Sequence, residues 1–114
     1  MIKTSDLIAS PLPKRLKEAR KNRAISQKSL GIAIGMDEFS ASPRMNHYEK
    51  GRHSPDFTTL RLLAKELDVP TAYFYTEEDW LAESILNLFQ TYKKSSVISD
   101  NSERDEKSSF FSKK

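Results

Sequence analysis

The chain has 114 residues, 31% of them charged, and a formal net charge of +3. That length suits one domain with a modest core and leaves no room for two full-sized ones. With no cysteine it can form neither a disulfide nor a thiolate zinc site, and it fits a reducing compartment. No apolar run approaches a membrane span. The N-terminal MIKTSDLIAS lacks the apolar segment of a signal peptide, so the expected location is the cytoplasm. The charge is uneven: Lys3 to Arg52 holds eleven basic and five acidic residues, a net +6, whereas His53 to Tyr92 holds two and seven, a net −5. One half can therefore meet a polyanion while the other repels it, which would orient the molecule during encounter.

Taken in order, residues 1–11 read as an arm. Leu12 to Arg23 reads as a first helix with Leu16 and Ala19 on one face; Pro11 and Pro13 are tolerated because they fall in its first turn. Ser26 to Ile34 reads as a second, with Leu30, Ile32, Ala33 and Ile34 as its apolar side. Gly35 lets the backbone leave in a left-handed conformation. Gly31, a costly residue in a helix, is read as a packing position. A third helix lies between Ser40 and Lys50. Its cap is open between Ser42, which precedes Pro43, and Ser40. Ser54 as cap and Pro55 as first residue open a fourth helix, with Phe57, Leu60, Leu63, Ala64 and Leu67 at helical spacing. Val69 to Tyr75 is a short apolar segment. Thr76, with Asp79 three residues on, resembles the start of a capping box for a last helix to about Tyr92. From residue 94 the chain is Ser-rich and charged, with too few apolar residues to order itself, and reads as a flexible tail.

Two short helices around a turn, closed by a basic loop, are the outline of a helix-turn-helix DNA reader. Here the sequence resembles the Cro and phage-repressor type of helix-turn-helix regulators, also called xenobiotic-response-element-type regulators. The resemblance covers about Leu12 to Tyr75, and its pieces stand in the family's order: Arg20, the Ser26-Gln27 start, Gly35, the Met45 to Gly51 helix with its Tyr48-Glu49-Lys50-Gly51 ending, and Pro55 to Val69. Two departures stand out. Met36, Asp37, Glu38 and Phe39 intervene where the family passes straight from the glycine to the third helix, lengthening the turn, and Gly31 stands where it favours alanine. The resemblance implies an all-α fold: a compact five-helix lambda-repressor-like DNA-binding domain over residues 12–75, with an additional C-terminal helix over 76–93.

A reading helix must keep an apolar inner face and offer polar groups outward to base edges. Met45 and Tyr48 take the inner side, leaving Ser42, Pro43, Arg44 and His47 outward and Asn46 at the margin. Arg44 is the best base reader, since arginine can bond guanine O6 and N7 together; the plainer alternative is a phosphate contact. The resemblance implies phosphate contacts by Gln27, by Lys50 and Arg52 in the following loop, and an ion pair of Arg20 with Glu49 that fixes the reading helix. The backbone amides of Gln27 and Lys28 would face a phosphate from the start of the second helix, with Ser26 as its cap. His47 and His53, with no third ligand, suggest no metal, and neither a cofactor nor a small-molecule ligand is expected.

In the last helix Trp80, Leu81, Ile85, Leu88, Phe89 and Tyr92 make a broad apolar face, read as a homodimer surface although part could simply cover the core. Three functions compete. The first is a sequence-specific regulator of transcription, a homodimeric repressor on an inverted repeat of double-stranded DNA. The second is an antitoxin-like interaction module whose DNA reader serves autoregulation. The third, a hydrolase built from scattered Ser, His and Asp residues, lacks any nucleophile motif or Gly-rich phosphate loop, and the chain is expected not to be an enzyme.

Overall fold

A computed structural model describes residues 9–98, with side chains to residue 95. The first eight residues of the expected arm and the greater part of the expected tail lie outside the described residues. The described chain is all helical: α1 Leu12–Asn22, α2 Gln27–Ala33, α3 Ala41–Glu49, α4 Phe57–Leu67, a 3-10 helix Thr71–Tyr75, and α5 Asp79–Ile98.

In α1, Pro11 and Pro13 occupy positions where no helical N–H is needed, and Leu12, Leu16 and Ala19 are buried along one side. The chain leaves α1 through Ala24, whose φ of 55° is left-handed. Ser26 caps α2 by accepting the Ser29 amide at 3.0 Å. Leu30 is fully buried and Ile34 packs on the core, but Ile32 is 45% exposed and Ala33 also faces solvent, so the apolar side of α2 is narrower than its composition suggests. Its third member is Gly31. A Cβ there would lie 2.7 Å from the Ala41 Cβ and 3.0 Å from its Cα, so α2 and α3 touch through their backbones. Gly35, at φ +102°, then turns the chain out of the helix.

The extra residues before α3 do not form a slack connection. Met36 is buried. The Asp37 carbonyl accepts the amides of Ser40 and Ala41 at 3.2 and 3.0 Å, and its carboxylate accepts the Phe39 amide at 2.8 Å and the Ser40 hydroxyl at 2.6 Å. Neither serine caps α3 through its side chain, and the Asp37 carboxylate instead closes the turn ahead of the helix. Ser40 stands at the cap position without a side-chain cap bond, and the insertion becomes one more hydrogen-bonded turn in front of α3.

The start of α4 also differs from expectation. Asp56 caps it, accepting the Thr59 amide at 2.8 Å, so neither Ser54 nor Pro55 opens the helix, and Pro55 is buried ahead of it. Both Ser and Asp can cap, and here Asp56 makes the bond. Asp68, left-handed at φ 60°, ends α4. Leu60, Leu63, Leu67, Leu16, Leu30, Met45 and Phe74 form the fully buried centre. Thr76 lies three residues ahead of α5 rather than at its cap position, and its hydroxyl donates backward to the Ala72 carbonyl at 2.7 Å. Instead the Glu78 carbonyl accepts the Ala82 amide at 2.9 Å. The helix runs on to Ile98, past the expected end at Tyr92 and into the first residues of the expected tail.

Candidate nucleic-acid interface

The inner side of α3 is held by polar contacts as well as by Met45 and Tyr48. Arg20 of α1 makes a two-pronged contact with Glu49, Nε to Oε2 at 2.6 Å and Nη2 to Oε1 at 3.1 Å, and its Nη1 donates to the Ile25 carbonyl at 3.0 Å. Both side chains are nearly buried, 13% and 3% exposed. Gln27 joins the group: Nε2 donates to Asn46 Oδ1 at 3.2 Å and to Glu49 Oε1 at 3.0 Å. Both Nε2 hydrogens are thus used inside the fold, so the Gln27 side-chain amide has no N–H left to offer outward. Asn46, expected at the margin, is drawn into the same network and is half-buried.

On the opposite side Pro43 and Arg44 are exposed and Ser42 and His47 half-buried, with Lys50, Arg52 and His53 exposed in the following loop. That loop is shaped by the His47 carbonyl, which accepts the amides of Arg52 at 2.9 Å and His53 at 3.4 Å, and by the two imidazoles packed edge to face 4.9 Å apart. Gly51, at φ +76°, makes the turn beneath them. Asp37, at the head of α3, is held below the usual carboxylate range by the Ser40 hydroxyl, the Phe39 amide and the field of Arg44. Lys28 approaches Glu38 at 3.6 Å, both exposed. Among the described residues no cluster of three His, Cys, Asp or Glu could hold a metal, and no described helix is long and apolar enough to cross a membrane.

A further arginine, Arg15, was not singled out by the sequence. It is 2% exposed and grips the entry to α5: Nε donates to the Thr76 carbonyl and Nη2 to the Glu77 carbonyl, each at 3.0 Å, with Asp79 and Glu18 at 3.0 and 3.3 Å. Tyr73 donates to Glu18 at 3.1 Å, and burial, aided by the Glu18 charge, pushes its phenol up to about 12. The only sequence signal for Arg15 is its place on the Leu12-Leu16-Ala19 side of α1.

The apolar residues of α5 divide between two faces. Ala82 is buried, Ile85 and Leu86 pack on the core, and Phe89 is half-buried beneath Lys93, whose ammonium lies 5.4 Å from the ring centre. Ile85 therefore contributes to the inner face, along with Leu86, which the sequence did not mark. Trp80 and Leu88 face out at 69% and 70% exposure, and Leu81 is half-buried beside them.

This geometry has a solved counterpart. The transcriptional regulator BswR, known from a crystal structure, is 48% identical to this chain and superimposes with a TM-score of 0.68, over 79% of this chain and 93% of its own. The chain belongs to the BswR family. No family model matches it, and no curated protein does. The match to BswR spans most of the described residues, so the family resemblance concerns the whole helical body rather than one motif.

Proposed function

We propose that this member of the BswR family is a sequence-specific DNA-binding regulator of the Cro and phage-repressor type, acting as a homodimeric repressor on an inverted-repeat operator. The observation that carries the reading is the division of α3. Its inner side is locked by Arg20, Glu49 and Gln27, while Pro43 and Arg44 are left exposed, flanked by Ser42 and His47 and followed by Lys50 and Arg52. Ser42, Pro43, Arg44 and His47 read base edges in the major groove, with Asn46 bracing them. The backbone amides of Gln27 and Lys28 behind the Ser26 cap, and the side chains of Lys28, Lys50 and Arg52, hold the phosphates. Two copies joined through Trp80, Leu81 and Leu88, with Ile85 and Phe89 at the edge of the contact, set two reading helices about 34 Å apart, one turn of DNA. Repression then follows from occupancy of the operator.

Selection of duplexes from a random library by the purified protein tests this directly, and an enriched inverted repeat is the expected result. If about six phosphates are neutralised per dimer, log affinity for that repeat falls against log salt with a slope of about −5. A flat salt response, or light scattering from a monomer at micromolar concentration, contradicts the corresponding part. The exposure of Trp80 and Leu88 also favours a second reading, a partner-binding module in which α5 holds another protein and the DNA reader serves autoregulation. A folded protein that enriches no sequence would favour it.

A further inference from the structure

Phe39 is the most exposed large apolar side chain among the described residues, at 87%, and it stands on a firmly built turn. The Asp37 carboxylate holds the Phe39 amide and the Ser40 hydroxyl, while the Asp37 carbonyl holds Ala41, the first residue of α3. Side chains three and four apart on helical backbone share a face, and the hydrogen-bonded turn at 37–40 runs into α3. Phe39 therefore sits one turn ahead of Ser42 and Pro43, on their side. A second contact reaches the turn from the α2 side, where the exposed Glu38 lies 3.6 Å from Lys28, the second residue of that helix. The two acids next to the ring are accounted for: Asp37 caps the turn within the field of Arg44 and Glu38 lies against Lys28.

A phenyl ring cannot accept from or donate to base edges as a side-chain amide or guanidinium does, and the apolar feature of the major-groove edge is the thymine 5-methyl group. Minor-groove wedging by apolar side chains is the other known use, but the turn leads into α3 on the face of its groove-reading residues. We propose that Phe39 is a specificity-determining residue that packs its ring on a thymine methyl in each half-site, beyond the base pairs read by Ser42 to Arg44. This rests on the assignment of α3 as the reading helix. The extra four residues thereby lengthen the stretch of sequence that one subunit reads.

The test uses the full chain and the operator enriched by the wild-type protein. Each thymine is replaced in turn by deoxyuridine, which removes only the methyl group, and affinity is followed by fluorescence anisotropy for wild type and Phe39→Ala. One thymine per half-site is expected to lose about fourfold in wild-type affinity on replacement, the worth of one buried methyl-sized group. Phe39→Ala is expected to bind the thymine operator more weakly and to show no further loss at that position, with an unchanged urea midpoint. A variant that keeps the wild-type affinity and thymine preference overturns the role of Phe39 alone. So does a Phe39→Ala protein whose oligomeric state differs in sedimentation, which would assign the ring to a protein contact. Failure of the wild-type protein to enrich any operator overturns the DNA-reading assignment itself.

Discussion

The two sides of α3 put similar chemistry to opposite ends. On the inner side the guanidinium of Arg20 divides its donors between the buried Glu49 carboxylate and the Ile25 carbonyl; on the outer side Arg44 is exposed. A buried, two-pronged ion pair orients a helix because neither partner can leave without stranding the other in a poorly solvated place. An exposed arginine contributes little to folding, yet remains available to a ligand. The contrast separates a group that positions α3 from one left open to solvent, although both carry the same charge.

The sharpest way to break this contrast is Arg20→Ala. Removal of the guanidinium leaves Glu49 buried with Gln27 as its remaining partner, and the expected destabilisation is about 3 to 5 kcal/mol, read from urea unfolding. Equal losses for Arg20→Ala and Arg44→Ala would refute the division. Gly31→Ala comes next. Alanine improves helix propensity by about 1 kcal/mol, but its Cβ meets the Ala41 backbone and Cβ, which cannot swing aside as a flexible side chain can. Overpacking of this kind typically costs about 1 to 3 kcal/mol, so a net loss of stability is expected in thermal melts. A gain would show that α2 and α3 separate easily.

Acid probes the outer end of α3 more gently. Asp37 is held low chiefly by the Ser40 hydroxyl, Asp56 by the Thr59 amide, Asp68 by Lys93, and Asp79 by Lys14 and then Arg15. Each folded carboxyl thus binds its proton less tightly than the ordinary value of 3.8. Their contribution is complete above that value and is lost as the pH falls through the lower folded ones. The urea midpoint is expected to be level with respect to these groups from about pH 5 to 8 and to drop below about pH 4. A decline already visible at neutral pH would point to other groups. The smallest effect on folding belongs to Arg44→Ala, within about 0.5 kcal/mol in the same unfolding assay. If Arg44 reads a guanine, the variant loses about 1 to 3 kcal/mol of discrimination at one base pair, measured by competition between operator variants.

Features that depend on near neighbours were legible in the sequence. Leu16 and Ala19 lie inward, Ser26 caps α2, Gly35 is left-handed, and Met45 and Tyr48 face the core. Capping choices between nearby candidates were less so. Ser54 and Asp56 both satisfy the start rule, and it is Asp56 that accepts the Thr59 amide. Asp37 lay inside a stretch that looked like added turn, and its capping bonds appear only once the backbone at 37–41 is folded. The division of α5 into a packed face with Ile85 and Leu86 and an exposed one with Trp80 and Leu88 depends on the rest of the domain. Arg15 shows in the sequence only as a residue on the inward side of α1, because its carbonyl partners are 61 and 62 residues away in the chain, and no local pattern announces them.

The grip of Arg15 on the carbonyls of Thr76 and Glu77 makes the joint between the domain body and α5 a stiff bracket. In a dimer joined through α5, every ångström between the two reading helices would be transmitted through that bracket in each subunit. The tolerance of such a protein for operators with one base pair more or less between their halves would then be set at a buried arginine far from any base. Loosening it would be expected to broaden the accepted spacings without altering the sequence read within each half.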